Sequence, residues 1–260
     1  MFQTIALTIV VLLALLLLSI GLGLYARKVG RPDFIIAVYV TFVLLAQVLA
    51  TKVVEFDIGF VAPAGVIIFP FTFQITDIIN ERFGQRETHK AILIAFLTQF
   101  IMVFFLLLAT SMDGFIPAST SEDATSVWNS VFGFTLGITT ASWISFLVSE
   151  NLDAHIFQLL KKATQDRYLW LRNVGSDVVS ITLDSFLFVP LAFVVFPTVL
   201  GQEVSPGDVV VTLVVGQTVT KLMFGILDTP FLYITRWLML DKVALLNNWF
   251  GPPKETNINE

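Results

Sequence analysis

The chain has 260 residues, of which 56% are hydrophobic, 13% are charged and 25 are Phe; its formal net charge is −5 and its mean hydropathy +0.83. Soluble domains keep about a quarter of their residues charged, so a water-soluble fold is excluded. A chain without Cys has no disulfide or thiolate chemistry, and an acidic one without a basic stripe is not built to bind nucleic acid.

A helix that crosses a bilayer needs roughly 20 mostly apolar residues. Seven segments meet that length: 5–25, 34–51, 60–80, 91–111, 127–150, 174–199 and 209–235. The first lacks a basic n-region and runs directly into RKVGR, which marks a retained helix and not a cleaved leader. The second and fourth each carry one amide, Gln47 and Gln99, of the kind that bonds helix to helix. The third ends in FPFTFQITDIINERFG, where Gln74, Asp77 and Glu81 share one helical face and Asn80 lies between them. In the fifth, Thr139, Thr140 and Ser142 flank Trp143, whose ring can stack on a flat ligand. Glu150, Asp153 and His155 follow at the expected inner edge, where a solvated role is expected.

The sixth segment carries Asn173, Asp177, Ser180 and Asp184 on one face. The seventh does the same with Gln217, Lys221 and Asp228. Asp184 lies about 18 Å along its helix from Arg172, near the bilayer midplane, and Lys221 falls at a matching depth. Ionisable groups at that depth cost at least ~2.5–3.5 kcal/mol and face a bundle interior or cavity. An Asp184–Lys221 ion pair is therefore expected, with Asp228 as the rival partner of the lysine. Pro70, Pro190 and Pro230 are expected to kink three helices. No GxxxxGK[ST] loop and no HExxH is present, and the two histidines have no ligand-like spacing, so neither cofactor nor metal is expected.

Basic residues accumulate on the cytoplasmic side of membrane proteins. With the N-terminus outside and the C-terminus inside, every basic residue of the chain except Lys52 and Lys221 falls in a cytoplasmic connection or the tail. The outward loops hold Glu55, Asp57, Asp113, Glu122, Asp123, Glu203 and Asp208. A multi-pass protein of the plasma (cell inner) membrane in that orientation follows. Its tail, 241–260, is expected to rest on the surface at Trp249 and Phe250 and then become disordered.

The segment FPFTFQITDIINERFGQRETHKAI resembles the FP-[LF]-[ST]-F-x-x-[ST]-D-I-x-N-E-x-[FY]-G signature of the queuosine precursor transporter family, also filed as vitamin-uptake-like transporters. LDAHIFQLLKKATQDRYLWLRNVGSDVVSITLDSFLF is similar to its second signature, and the likeness covers about residues 34–240. This chain departs from the pattern at Ile181, where the family has Gln, and at Asp177, where it has Thr. The resemblance implies an all-α integral membrane protein. A six-helix transporter core, 34–240, would follow one additional N-terminal transmembrane helix and basic loop, 1–33, in the layout of energy-coupling-factor substrate-binding components. It also implies a 7-deazapurine cargo, 7-cyano- or 7-aminomethyl-7-deazaguanine. The expected substrate-binding set is Gln74, Asp77, Asn80, Glu81, Trp143, Asn173, Asp177, Ser180, Asp184, Gln217, Lys221 and Asp228.

Two alternatives stay open on sequence. One is an energy-coupling-factor-type subunit for another vitamin, driven by separate ATPase partners. The other is an intramembrane enzyme; against it, Asp77 and Asp184 are about 10 Å apart in depth, too far to share a proton.

Overall fold

A computed structural model describes residues 2–50, 52–55, 61–112, 136–199, 201 and 204–240. Seven long helices occupy most of them: α1 (Phe2–Val29), α2 (Asp33–Leu49), α3 (Phe69–Phe83), α4 (Gln85–Thr110), α5 (Leu136–Ala163), α6 (Leu169–Pro190) and α7 (Gly207–Leu240). A π-turn (Leu191–Val195) and a short helix (Phe196–Val199) extend α6 beyond Pro190. Antiparallel β1 (Val53–Glu55) and β2 (Val61–Pro63) join α2 to a 3₁₀ turn (Ala64–Ile67), with Val54 opposite Ala62. Among the described residues, four spans are long and apolar enough to cross a bilayer: Ile9–Val29, Gln85–Thr110, Leu169–Val199 and Gly207–Leu240. Asp33–Leu49 is a shorter apolar helix. This is an all-helical, multi-pass membrane protein, apart from the small hairpin among the described residues.

The third segment departs from expectation. Helix begins at Phe69 and not at residue 60, because Pro63 ends β2 and Pro70 fits only the first turn of a helix. Pro70 therefore starts α3 and does not kink it. The 15 residues of α3 give a rod of roughly 22 Å, short of a ~30 Å hydrocarbon core. The remaining depth on its N-terminal side is taken by the 3₁₀ turn, whose irregular backbone faces protein, the condition under which membranes tolerate it. Gly65 permits this packing, since a Cβ there would lie 2.7 Å from the Ala46 carbonyl oxygen. At its other end α3 passes directly into α4 through Gly84, whose φ of 88° strongly favours glycine.

The fifth segment also shifts. The described helix runs from residue 136 to 163, so Glu150 and Asp153 lie inside it and are fully buried, not solvated at an edge. Residues 127–135, the outward loop at 113–126 and the tail expectation for 241–260 lie outside the described residues.

Helices α2, α4, α5, α6 and α7 surround α3, and every residue from Pro70 to Glu81 is buried. The α1 helix packs along α7. Gly23 lies against the Thr235 carbonyl, and Arg27 Nη1 donates to the Leu238 carbonyl at 2.9 Å. The apolar core joins Leu22, Tyr39, Phe71, Ile75, Ile78, Phe157 and Leu232 across these helices.

Replacing Gly65 with Val should destabilise the detergent-solubilised protein by about 1–3 kcal/mol, seen as a lower midpoint of thermal unfolding. An unchanged midpoint would show that the α2–3₁₀ contact relaxes freely.

Candidate functional site

The polar side chains of α3, α5, α6 and α7 sort into three groups along the bundle. The first lines a cavity of about 530 Å³, counting its open mouth, at the end where α2 meets the 3₁₀ turn. Val43, Ala46, Ala50, Pro63, Gly65, Val66, Phe69, Phe146 and Phe188 form its apolar walls. Gln47, Gln99, Ser142, Ser145, Asp184, Gln217 and Lys221 supply its polar atoms. Its mixed lining, apolar walls with a few convergent polar groups, is of the kind that holds a small ligand.

Asp184 is the anionic centre of that cavity. Lys221 Nζ lies 2.5 Å from its Oδ2, Gln217 Nε2 is 3.4 Å from the same oxygen, and Ser149 Oγ is 3.4 Å from Oδ1. This is the pairing expected from the matched depths; Asp228, the rival, lies elsewhere. Lys221 Nζ also sits 3.9 Å from the centroid of the Phe69 ring, a cation–π contact that helps keep a charge in an apolar wall. Ser142 donates to Gln47 Oε1 at 2.8 Å, while the buried Gln99 Nε2 has no hydrogen-bond partner. That amide is a free donor in the cavity lining.

The second group is acidic and enclosed. Asp77, Glu150, Asp153, Asp177 and Asp228 are all buried. Both Asp77 oxygens lack a partner, and its charged neighbours include Asp153, Asp177 and Asp228. Ser180 donates to Asp153 Oδ1 at 2.8 Å and Thr72 to Glu150 Oε1 at 3.0 Å. Asn173 Nδ2 reaches both Asp177 Oδ2 (3.3 Å) and Thr229 Oγ1 (3.2 Å), and Gln74 Nε2 donates to the Asp228 carbonyl at 3.0 Å. None of these residues lines the cavity.

The third group closes the opposite end. Glu81 accepts from Lys161 (2.9 Å), Arg172 (3.2 Å) and Arg236 (2.7 Å), drawn from α5, α6 and α7. Arg172 and Arg236 also bridge to Asp166 at 2.8 and 3.2 Å. The α5–α6 turn aims Asp166 at them through positive φ at Gln165, Asp166 and Tyr168. Partial burial pushes the Asp166 carboxyl up, but the Arg172 hydrogen bond and the charges of Lys161, Arg172 and Arg236 outweigh it and hold it below the usual range. Its contribution to stability is present above its unfolded value, about 3.9, and is lost as pH falls through the lower folded value. Asn80 lies nearby, donating to the Ala154 carbonyl at 2.9 Å and accepting from Gln158 at 2.6 Å.

Of the expected set, only Asp184, Gln217 and Lys221 line the cavity. Trp143 packs against Phe96 and Phe100 of α4, with ring centroids 6.1 and 5.2 Å away. The sequence reading passed over Gln47, Gln99 and Ser142 as cavity residues and over Glu150 and Asp153 as buried acids. Lone amides in apolar spans were the signal for the first two. For the acids, the edge assigned to the fifth segment hid it.

Comparison with known proteins follows the same direction. The family described as "Putative vitamin uptake transporter" matches residues 63–235. A Bacillus subtilis (strain 168) protein named "Probable queuosine precursor transporter" is 30% identical over 195 residues, 74% of this chain and 78% of that protein. A Haemophilus influenzae protein of the same name is 27% identical over 140 residues, 53% of this chain and 54% of its own length. No solved structure matches.

Glu81→Ala leaves the fully buried Arg172 side chain with Asp166 as its remaining carboxylate partner and should cost about 3 kcal/mol of stability. The double variant Glu81→Leu/Arg172→Met should recover part of that loss. Thermal unfolding of the three proteins checks both; equal loss in the single and double variants would deny the coupling.

Proposed function

This chain belongs to the vitamin uptake transporter family, a family of transporters and not of enzymes, and on that premise we propose that it imports a 7-deazaguanine precursor of queuosine or archaeosine. The observation that carries the proposal is the Asp184–Lys221 pair at a cavity furnished with three amides and three Phe rings. A deazaguanine offers a ring N1–H and an exocyclic amine side by side, a fork that a carboxylate accepts with two parallel hydrogen bonds. Asp184 is the acceptor for that edge. Lys221, displaced from it, and the free Gln99 amide are donors for the ring carbonyl. Phe69, Phe146 and Phe188 present faces or edges for the flat ring system.

The direct contacts in this reading are Asp184, Gln217 and Lys221, joined by Gln47, Gln99 and Ser142. Gln74, Asp77, Asn173, Asp177, Ser180 and Asp228 belong to the route beyond the cavity. Asn80, Glu81 and Trp143 hold helices together. We take the six helices from α2 to α7 as the transport core, residues 34–240, with α1 in the preceding unit, 1–33, and 241–260 as the tail. The N-terminus faces outward and the C-terminus the cytoplasm of the plasma membrane. Arg27, Arg172 and Arg236 gather at one end of the bundle, which supports that orientation through the cytoplasmic preference of basic residues. The cavity then opens outward and the Glu81 network seals the inner side, one of the two states that alternating access requires. The chain works without ATPase partners in this reading.

The test is uptake in a cell that cannot synthesise queuosine, expressing this protein and supplied with each deazaguanine in turn. Queuosine in tRNA should be restored by at least one precursor, and Asp184→Asn should lower that by about tenfold or more, a loss of roughly 1.4 kcal/mol of binding. Failure of every precursor at normal membrane levels overturns the cargo; full activity of Asp184→Asn overturns the site.

A further inference from the structure

The five enclosed acids between the cavity and the Glu81 network have an imbalance that cargo binding leaves unexplained. Glu150 and Asp153 come from α5, Asp77 from α3, Asp177 from α6 and Asp228 from α7, and all are at least nine-tenths buried. The charged groups around them on those helices are Glu81, committed to three bases, and Asp184, committed to Lys221. On the α2 side the facing group is Tyr39, beside Glu150. No Lys or Arg is paired with any of the five within salt-bridge distance among the described residues.

A second observation comes from the neutral side chains. Gln74 and Asn173, each 1% exposed, have their amide nitrogens engaged at the cluster, on the Asp228 carbonyl and on Asp177. Their carbonyl oxygens, Gln74 Oε1 and Asn173 Oδ1, are buried without a donor. Each of the five acids also has at least one oxygen in that condition. Apart from the Tyr39 hydroxyl beside Glu150, the region is thus crowded with acceptors and short of donors, the reverse of what a buried polar network needs. Five uncompensated carboxylates cannot all remain ionised in such a place, where like charges repel and each ion would cost several kcal/mol. Among the described residues no three Asp, Glu or His side chains are arranged to hold a metal ion. A proton supplies the missing donor and needs no cavity.

We propose that the Asp77–Glu150–Asp153–Asp177–Asp228 cluster is a proton-binding site that couples cargo movement to proton movement. The inference rests on the transport reading above and names its energy source. A carboxylate takes a proton from the water of the open side, carries it as the O–H of a carboxylic acid that donates to a neighbouring acceptor, and releases it to water on the other side. The carboxylate re-forms and no electron moves. Asp/Glu chains inside membrane proteins commonly serve as such relays, and their protons leave in steps that belong to the group as a whole.

The test uses the purified full-length chain in liposomes, in two measurements. Infrared difference spectroscopy at neutral pH, without cargo, should show the carbonyl stretch of protonated carboxylic acids, diminished in Asp153→Asn and in Glu150→Gln. Labelled deazaguanine should accumulate against its gradient when the outside is acid, by about tenfold per pH unit for one coupled proton, and a protonophore should abolish this. Asp153 is not a cargo contact, so Asp153→Asn should keep cargo counterflow and lose gradient-driven accumulation, with Asp153→Glu restoring it. Absence of the protonated-acid band, or counterflow with accumulation indifferent to the pH gradient, overturns the proposal. If counterflow itself fails for every deazaguanine, the cargo reading falls and the infrared result alone decides for or against the protons. Should Asp153→Asn fail to fold, the Glu150→Gln spectrum and the protonophore arm on the parent protein decide.

Discussion

The enclosure of α3 constrains everything else in this protein. A helix buried all round is normally apolar all round, yet this one carries Gln74, Asp77, Asn80 and Glu81 along its length, each at most 7% exposed. Water is not available to these groups, so each must be answered by a neighbouring helix or remain unsatisfied. Glu81 is answered fully, by one base from each of α5, α6 and α7. Asn80 is answered by the backbone and a glutamine of α5, and Gln74 in part by the backbone of α7. Asp77 is not answered by any hydrogen bond. Register between α3 and its neighbours is therefore fixed at the Glu81 end and left electrostatically tense one turn deeper.

That gradient organises the bundle along its axis. At one end cations outnumber the acids they hold, and the ion pairs bind four chain segments into one layer. In the middle, acids outnumber cations. Beyond them a single pair, Asp184 with Lys221, borders the cavity. Buried ion pairs contribute little net stability and are expensive to break singly. They are therefore better suited to fixing alternative arrangements of helices than to strengthening one. The π-turn after Pro190 places irregular backbone in α6, the helix that carries Asp184, where small shifts of one helix past another are least costly; α7 runs as continuous helix through Pro230.

The short length of α3 has a second consequence. Because its helix starts only at Phe69, the 3₁₀ turn and Pro63 form one wall of the cavity, and the close approach of Gly65 to α2 holds that wall in place. A continuous helix from residue 60 would have filled this space with side chains. The hollow in which Asp184 is reached owes its existence to a helix that does not complete its crossing.

The sequence by itself determined the membrane character, because apolar runs of this length have no other stable environment. It also determined the polar stripes on the third, sixth and seventh segments, because helical periodicity puts residues four apart on one face. The depth match of Asp184 and Lys221 was legible for the same reason: rise per residue converts position in a helix directly into height. What only the tertiary structure decided was azimuth, the direction each stripe faces and what it meets there. Asp77 and Asp184 both lie on buried helical faces, yet one faces other acids and the other a lysine and a cavity. Glu150 and Asp153 looked like an interfacial cap until the fifth helix continued thirteen residues past the expected edge at 150, to Ala163. Gln47 and Gln99, equally plain as single amides, became cavity residues because α2 and α4 turn those faces inward. Periodicity fixes which residues travel together, and packing of one helix against another fixes where they arrive.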